Sequence, residues 1–191
     1  MLTKEQIEKI VKTTVAQVHG QTKSAASGGD GGWMFDRAED CIRAAGAAQK
    51  KLIAMSMDER ENLIRAMRKA SVENAESLAQ MAHDETGYGK VPDKIQKILL
   101  VANKTPGTED LVPKVYTGDR GMTLVEPAPY GVIGSITPST NPPGTVINNS
   151  ISMIAAGNAV VFNPHPAAKR CCQETMRILN EAIVEAGGPE G

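Results

Sequence analysis

The chain has 191 residues, and its 21 Lys and Arg against 22 Asp and Glu leave a formal net charge of −1 at pH 7. So even a balance excludes the basic excess on which a nucleic-acid binder depends. Three cysteines are too few, and odd in number, for a disulfide framework, so reduced thiols are expected. No apolar run follows a basic start, and no secretory leader is expected. Aromatic residues make only 3%, so Leu, Ile, Val, Met and Ala must build most of the core.

Residues 1–19 read as an amphipathic helix. Thr3 and Gln6 have capping-box spacing, and Leu2 can staple onto Ile7. Ile7, Ile10, Val11, Thr14, Val15 and Val18 fall within an arc of about 140° on a helical wheel, with Lys4, Glu5, Glu8, Lys9 and Lys12 on the other faces. So short a helix is marginal alone, and its stripe needs a partner. Residues 20–32, rich in Gly and Ser, read as a flexible linker. A tethered docking helix and a helix packed on its own domain both fit this pattern.

From Trp33 to about Asn103 the pattern is helical. A first helix is expected over 35–55, carrying Ile42, Ala45, Leu52 and Ile53 with little Gly or Pro. Ser56 and Glu59 form a second capping box, ahead of Leu63, Ile64 and Met67. Ser71 is expected to cap a third helix carrying Ala75, Leu78, Ala79 and Ala82. Gly87 and Gly89 end it, and Pro92 opens a fourth through Leu99 and Leu100. His83, beside Asp84 and Glu85, reads as a surface residue, since no second His or Cys stands at metal spacing.

Residues 127–168 then contain no Asp, Glu, Lys or Arg, a run of 42. Pro129, Pro138, Pro142, Pro143, Asn141, Asn148 and Asn149 interrupt the run, so it holds no block of about 20 apolar residues that could span a membrane. It reads as the core of an α/β unit. Strands are expected at 114–117 and 122–126, antiparallel, and at 132–137 and 159–162, with helices at 143–156 and 167–186. The second helix should turn Met176, Leu179, Ile183 and Val184 inward and end at Gly187-Gly188-Pro189. Strand, helix, strand, helix at these lengths is a right-handed parallel βαβα unit, its strands buried on both faces.

Ligands bind beyond the carboxyl ends of parallel strands. Those ends are Thr137-Pro138-Ser139-Thr140-Asn141-Pro142 and Asn163-Pro164-His165-Pro166, two polar loops that precede helices. A nucleotide or another polar ligand fits there. So does a purely structural role as helix starts with turn prolines. Neither a GxGxxG fingerprint nor a P-loop is present.

Val125-Glu126-Pro127-Ala128-Pro129-Tyr130-Gly131-Val132-Ile133-Gly134 resembles the entry to the cofactor domain of the aldehyde dehydrogenase superfamily. The loop 137–142 and Gly157-Asn158-Ala159-Val160-Val161-Phe162-Asn163-Pro164-His165-Pro166 resemble its CoA-acylating branch. Glu85-Thr86-Gly87-Tyr88-Gly89-Lys90-Val91, with Asp93-Lys94, is similar to the propionaldehyde dehydrogenases of bacterial microcompartments. The resemblance runs from about Trp33 onward. It implies an N-terminal encapsulation helix (1–19), a linker (20–32), the helical part of an N-terminal domain (33–112) and the first half of a Rossmann-like NAD-binding domain (113–191).

The implied reaction converts a short-chain aldehyde, CoA and NAD to acyl-CoA and NADH through a cysteine thiolate. Asn141 matches the family's oxyanion donor. Thr137, Pro138, Ser139, Thr140, Asn163, His165 and Pro166 match its cofactor-binding loops. Asn163 and Pro166 stand where many hydrolytic members carry a Lys and a Glu for the ribose, which puts tight ribose chelation in doubt. The catalytic cysteine lies further along the family's sequence than residue 191. Cys171 and Cys172, early in a helix, do not match it, and with Cys41 they read as structural thiols. The 191 residues alone are therefore expected to be inactive, with the outer parallel strand presenting a free edge.

The resemblance also implies a homo-oligomer at full length. Residues 2–18 would dock on a shell protein, placing the enzyme in the cytoplasm within a microcompartment. No metal, nucleic acid or membrane partner is expected. A non-catalytic nucleotide-binding module and a shell-docking module are the alternatives.

Overall fold

Four helices, a hairpin and a βαβα unit follow one another along residues 33–190, the part of the chain that the computed structural model describes. The helix and linker expected over 1–32 lie outside the described residues. The helices are α1 (Ala38–Leu52), α2 (Met57–Glu73), α3 (Ala75–Thr86) and α4 (Val91–Lys104). A 3-10 turn at Thr108–Asp110 leads into β1 (Lys114–Gly118) and β2 (Gly121–Val125). Then come β3 (Val132–Thr137), α5 (Pro142–Ala155), β4 (Ala159–Pro164), a 3-10 turn at Pro166–Ala168 and α6 (Lys169–Glu185).

Local signals account for most of these boundaries. The Ser56 hydroxyl accepts the Glu59 N–H while the Glu59 carboxylate accepts the Ser56 N–H, closing the expected capping box at the start of α2. Gly87 ends α3 at φ 69°, a left-handed backbone that glycine adopts without a Cβ penalty. Pro142 and Pro143 open α5, where a missing N–H costs no helical bond. β1 and β2 pair antiparallel, Lys114 opposite Val125, and β3 and β4 pair parallel, Val132 opposite Ala159.

Leu52, Leu63, Ile64, Met67, Leu78 and Ile98 of the helical half share one buried cluster with Val146, Ile147, Ile151, Ile178 and Leu179 of the βαβα unit. Side chains from α1 and α2 also grip the turn between α5 and β4. The Gln49 amide donates to the Gly157 carbonyl at 3.0 Å, and the Arg60 guanidinium donates to the Ala155 carbonyl at 3.1 Å. Arg68 of α2 holds the end of α4 through the carbonyls of Ala102 at 2.8 Å and Thr105 at 2.7 Å.

Ile42 and Ile53 are about half exposed, because α1 turns only Ala45, Ala48 and Leu52 fully inward. Several expectations are corrected. Val184 also faces outward, while Cys171, Cys172, Thr175, Ile178 and Ala182 take the inner face of α6. Ser71 does not cap α3. It lies inside α2, buried, and donates to the Met67 carbonyl at 2.7 Å. The parallel strands are not covered on both faces, since Ile136 is 84% exposed and Gly134 is open. The hairpin stands proud of the core, with every residue of β1 and β2 exposed. Among the described residues no helix is long and apolar enough to cross a membrane.

Candidate functional site

The two polar loops at the strand ends are brought together. In the parallel register Thr137 lies opposite Pro164. The next backbone bond, from the His165 N–H to the Thr137 carbonyl at 3.0 Å, carries the pairing into the loops. At the opposite end Asn158, 3% exposed, locks the strand starts. Its carboxamide oxygen accepts the N–H groups of Tyr130 at 2.6 Å and Gly131 at 3.0 Å, and its nitrogen donates to the Met153 carbonyl at 3.2 Å. Fixed at both ends, the pair presents residues 137–141 and 163–166 side by side.

Asn141 is the N-cap residue of α5, yet its side chain makes no capping bond. Its backbone carbonyl instead accepts from the Thr145 N–H at 3.0 Å and the Thr145 hydroxyl at 2.8 Å. The half-buried carboxamide lies over Gly144, where a Cβ would come within 2.6 Å of Asn141 Nδ2. The N–H groups at the helix end do not engage its Oδ1, and its Nδ2 packs against Gly144. Thr137 is buried, with its hydroxyl oxygen 3.5 Å from Cys172 Sγ, while Pro138 and Thr140 are exposed and Ser139 half-buried.

On the second loop Asn163, His165 and Pro166 are exposed. The His165 ring accepts the Ala167 N–H at Nδ1, 3.1 Å, so this histidine shapes the turn into α6. A cleft of about 680 Å³ is lined by every residue of β4 and by none of β3, and so runs along the side of β4 that β3 does not occupy. Trp33, Gln49, Ser150, Lys169 and Gln173 contribute to its wall.

Two of the three thiols are closed off from this site, and the third, Cys41, lines the cleft along β4. Cys171 and Cys172 are fully buried, and the sulfur of Cys172, burial and the Glu85 carboxylate together push the Cys171 thiol strongly upward. Cys41 is half-buried, which raises its pKa. His83 is half-buried and not at the surface, with its Nδ1 enclosed and unbonded. Among the described residues no cluster of His, Cys, Asp or Glu could hold a metal ion.

Sequence reasoning missed three residues that build the site. Gly144 falls inside the helix expected over 143–156, with nothing to mark it as the seat of a side chain. Asn158 stands within the Gly157–Pro166 motif, and nothing in that motif shows its bonds to residues 130 and 131. Glu85, also within a motif, accepts the backbone N–H groups of Arg170 at 2.8 Å and Cys171 at 2.7 Å. No sequence signal links positions so far apart.

A parallel βαβα unit with polar loops at its strand ends is the α/β architecture in which ligands bind beyond the carboxyl ends of the strands. The sequence profile described as the aldehyde dehydrogenase family matches residues 34–191, and the chain belongs to that family. It is 57% identical over 169 residues to an acetaldehyde dehydrogenase (acetylating) of Bilophila wadsworthia, covering 87% of this chain and 34% of the relative. A propionaldehyde dehydrogenase from the fucose-utilisation microcompartment of Clostridium phytofermentans is 54% identical with a TM-score of 0.79, over 82% of this chain and 36% of that one. A propionaldehyde dehydrogenase of Rhodopseudomonas palustris, solved with bound CoA and an acylated cysteine, is 41% identical with a TM-score of 0.79, over 83% of this chain and 36% of that one. The chain spans a little over a third of the length of these proteins and matches them over their N-terminal portion.

Proposed function

We propose that these residues are the N-terminal portion of a CoA-acylating aldehyde dehydrogenase that turns a short-chain aldehyde into its acyl-CoA. The observation that carries the reading is the placement of Asn141. Its carboxamide is half-buried, seated over Gly144, and left out of the capping of α5. A neutral N–H donor aimed at the oxygen that gains charge during attack on an aldehyde lowers the barrier, and loss of one such donor costs about 10²–10³-fold in kcat.

NAD fits the neighbouring loops. The cleft along β4 reaches Asn163, Pro164, Pro166 and the cation of Lys169, with Asp36 as the one carboxylate in its lining. Thr137, Pro138, Ser139 and Thr140 would receive one part of the dinucleotide, and Asn163, His165 and Pro166 the adenosine side. When bound, NAD supplies the hydride acceptor. The chain's own residues bind and orient it, and Asn141 holds the reacting oxygen. With Cys171 and Cys172 enclosed in the core, the 191 residues bind nucleotide without turnover.

At full length the protein is a homo-oligomer, a reading supported by the exposed apolar residues Val115, Tyr116, Met122 and Leu124 of the hairpin. Residues 2–18 dock on a shell protein of a bacterial microcompartment in the cytoplasm, as their apolar stripe and the microcompartment origin of a similar structure suggest. Deleting 2–18 should abolish co-sedimentation with shells and leave the chemistry intact.

The test of the main reading is Asn141→Ala in a polypeptide that carries the catalytic domain. Acyl-CoA formation should fall about 10²–10³-fold in kcat with nucleotide affinity unchanged. Wild-type kcat in that variant would remove Asn141 from the mechanism.

A further inference from the structure

We infer that Glu85 is a positioning residue for the loop between β4 and α6, acting as a helix cap supplied from another helix. The inference rests on the reading of that loop as part of a nucleotide site. α6 begins without a cap of its own: Ala168 occupies the N-cap, no acidic residue lies in the first turn, and Lys169 and Arg170 put two cations there. Positive charge at a helix N-terminus is unfavourable, and the first N–H groups have no partner inside the helix.

Glu85, next to the last residue of α3, answers both deficits. One carboxylate oxygen accepts the Arg170 N–H at 2.8 Å and the other accepts the Cys171 N–H at 2.7 Å. Ionised acceptors make the stronger hydrogen bonds, and two donors fix the carboxylate in direction as well as distance. Partial burial opposes the charge, but these two donors and the nearby Arg170 hold the carboxyl below its ordinary value. The residue after the α3 helix, Gly87, turns left-handed immediately beyond, so the chain leaves Glu85 in a defined direction.

The clamp is continuous with the site. Cys172, one residue beyond Cys171, places its sulfur 3.5 Å from the Thr137 hydroxyl, and the Thr137 carbonyl receives the His165 N–H at 3.0 Å. Glu85 thereby joins the helical half to the start of α6, and through it to the ends of both parallel strands. It sets where Asn163, His165 and Pro166 stand relative to residues 137–141. It also occupies the N–H groups that would otherwise make the start of α6 an anion site. Phosphate groups of a bound nucleotide must then be received elsewhere.

The experiment compares the 191-residue chain with E85A and E85Q by amide NMR, thermal melting and titration with ADP-ribose. In E85A the Arg170 and Cys171 amides should lose their hydrogen-bonded shifts, the Asn163 and His165 amides should move with them, and ADP-ribose affinity should fall about fivefold to tenfold. E85Q keeps one acceptor oxygen in the same shape and should recover part of the affinity. Adding inorganic phosphate should shift the Arg170 and Cys171 amides of E85A and leave those of the wild type in place. A purely structural role predicts a lower melting temperature with Asn163, His165 and ADP-ribose affinity unchanged, and that result overturns the proposal. If E85A does not fold, E85Q decides: unmoved Asn163 and His165 amides with full affinity sink it. If the wild type does not bind ADP-ribose at all, the nucleotide reading fails, and the amide shifts alone decide the positioning.

Discussion

The carboxamide of Asn141 occupies the space in which Gly144 would carry a side chain: a Cβ built there lies 2.6 Å from Nδ2 and 3.0 Å from Oδ1. Gly144 sits in the first turn of α5, where alanine would be the better helix former by about 0.5–1 kcal/mol. The glycine is therefore explained by the asparagine above it and not by backbone conformation.

Gly144→Ala separates the two effects. The melting temperature should hold or rise, because helix propensity improves, while the Asn141 side chain is pushed from its seat. In a polypeptide with the catalytic domain, kcat should fall by at least about tenfold, toward the loss expected for removing the donor. The Asn141 side-chain NH₂ resonances report the displacement directly. Unmoved resonances would contradict the packing argument.

Arg68 is four-fifths buried at its side chain and donates to two carbonyls at the end of α4, with Glu109 at 3.6 Å. A lysine presents one compact ammonium in place of this fork. Arg68→Lys should lower stability by about 1–3 kcal/mol in urea unfolding, through the carbonyl left without its donor. A change within about 0.5 kcal/mol, the range of an ordinary surface substitution, would refute it.

The Ser56 hydroxyl, and after it the Ser56 N–H, hold the Glu59 carboxyl below its ordinary value. A depressed acid stabilises the fold above its unfolded pKa and loses that contribution as pH falls through its folded pKa. Ser56→Ala should lower the melting temperature at neutral pH. The gap from wild type should narrow on acidification below the ordinary carboxylate range. A gap that widens in acid would reverse the sign and the explanation.

Cys171 and Cys172 are fully enclosed, whereas Cys41 is only partly so. A thiol reagent at neutral pH should label Cys41 first, and slowly, since burial raises its pKa. Cys171 and Cys172 should react only when the chain is unfolded in guanidinium. Mass spectrometry of the labelled peptides reads the order, and rapid native labelling of Cys172 would show that α6 opens locally.

Local chemistry made much of the fold legible. The capping box at Ser56 and Glu59, Gly87 after α3, the prolines opening α5 and the β-branched run at 132–137 are each encoded within a few residues, and those elements stand where the pattern put them. The strand-end loops were legible for the same reason, since polar, proline-rich segments interrupt an otherwise charge-free stretch. Helix faces were less so. Ile42, Ile53 and Val184 obey helical periodicity and are still exposed, because the width of a buried stripe depends on how many neighbours pack on it.

Tertiary structure alone decided the rest. Asn158 reaches back to Tyr130 and Gly131, Cys172 meets Thr137, and Glu85 caps a helix that starts some 85 residues later. A hydrogen bond needs donor and acceptor within about 3 Å, and only the folded chain brings such distant groups that close. The sequence by itself determined which segments would be helix, strand and loop. Where the Asn141 carboxamide sits, and what holds the loops around it, came from packing between segments that carry no local trace of one another.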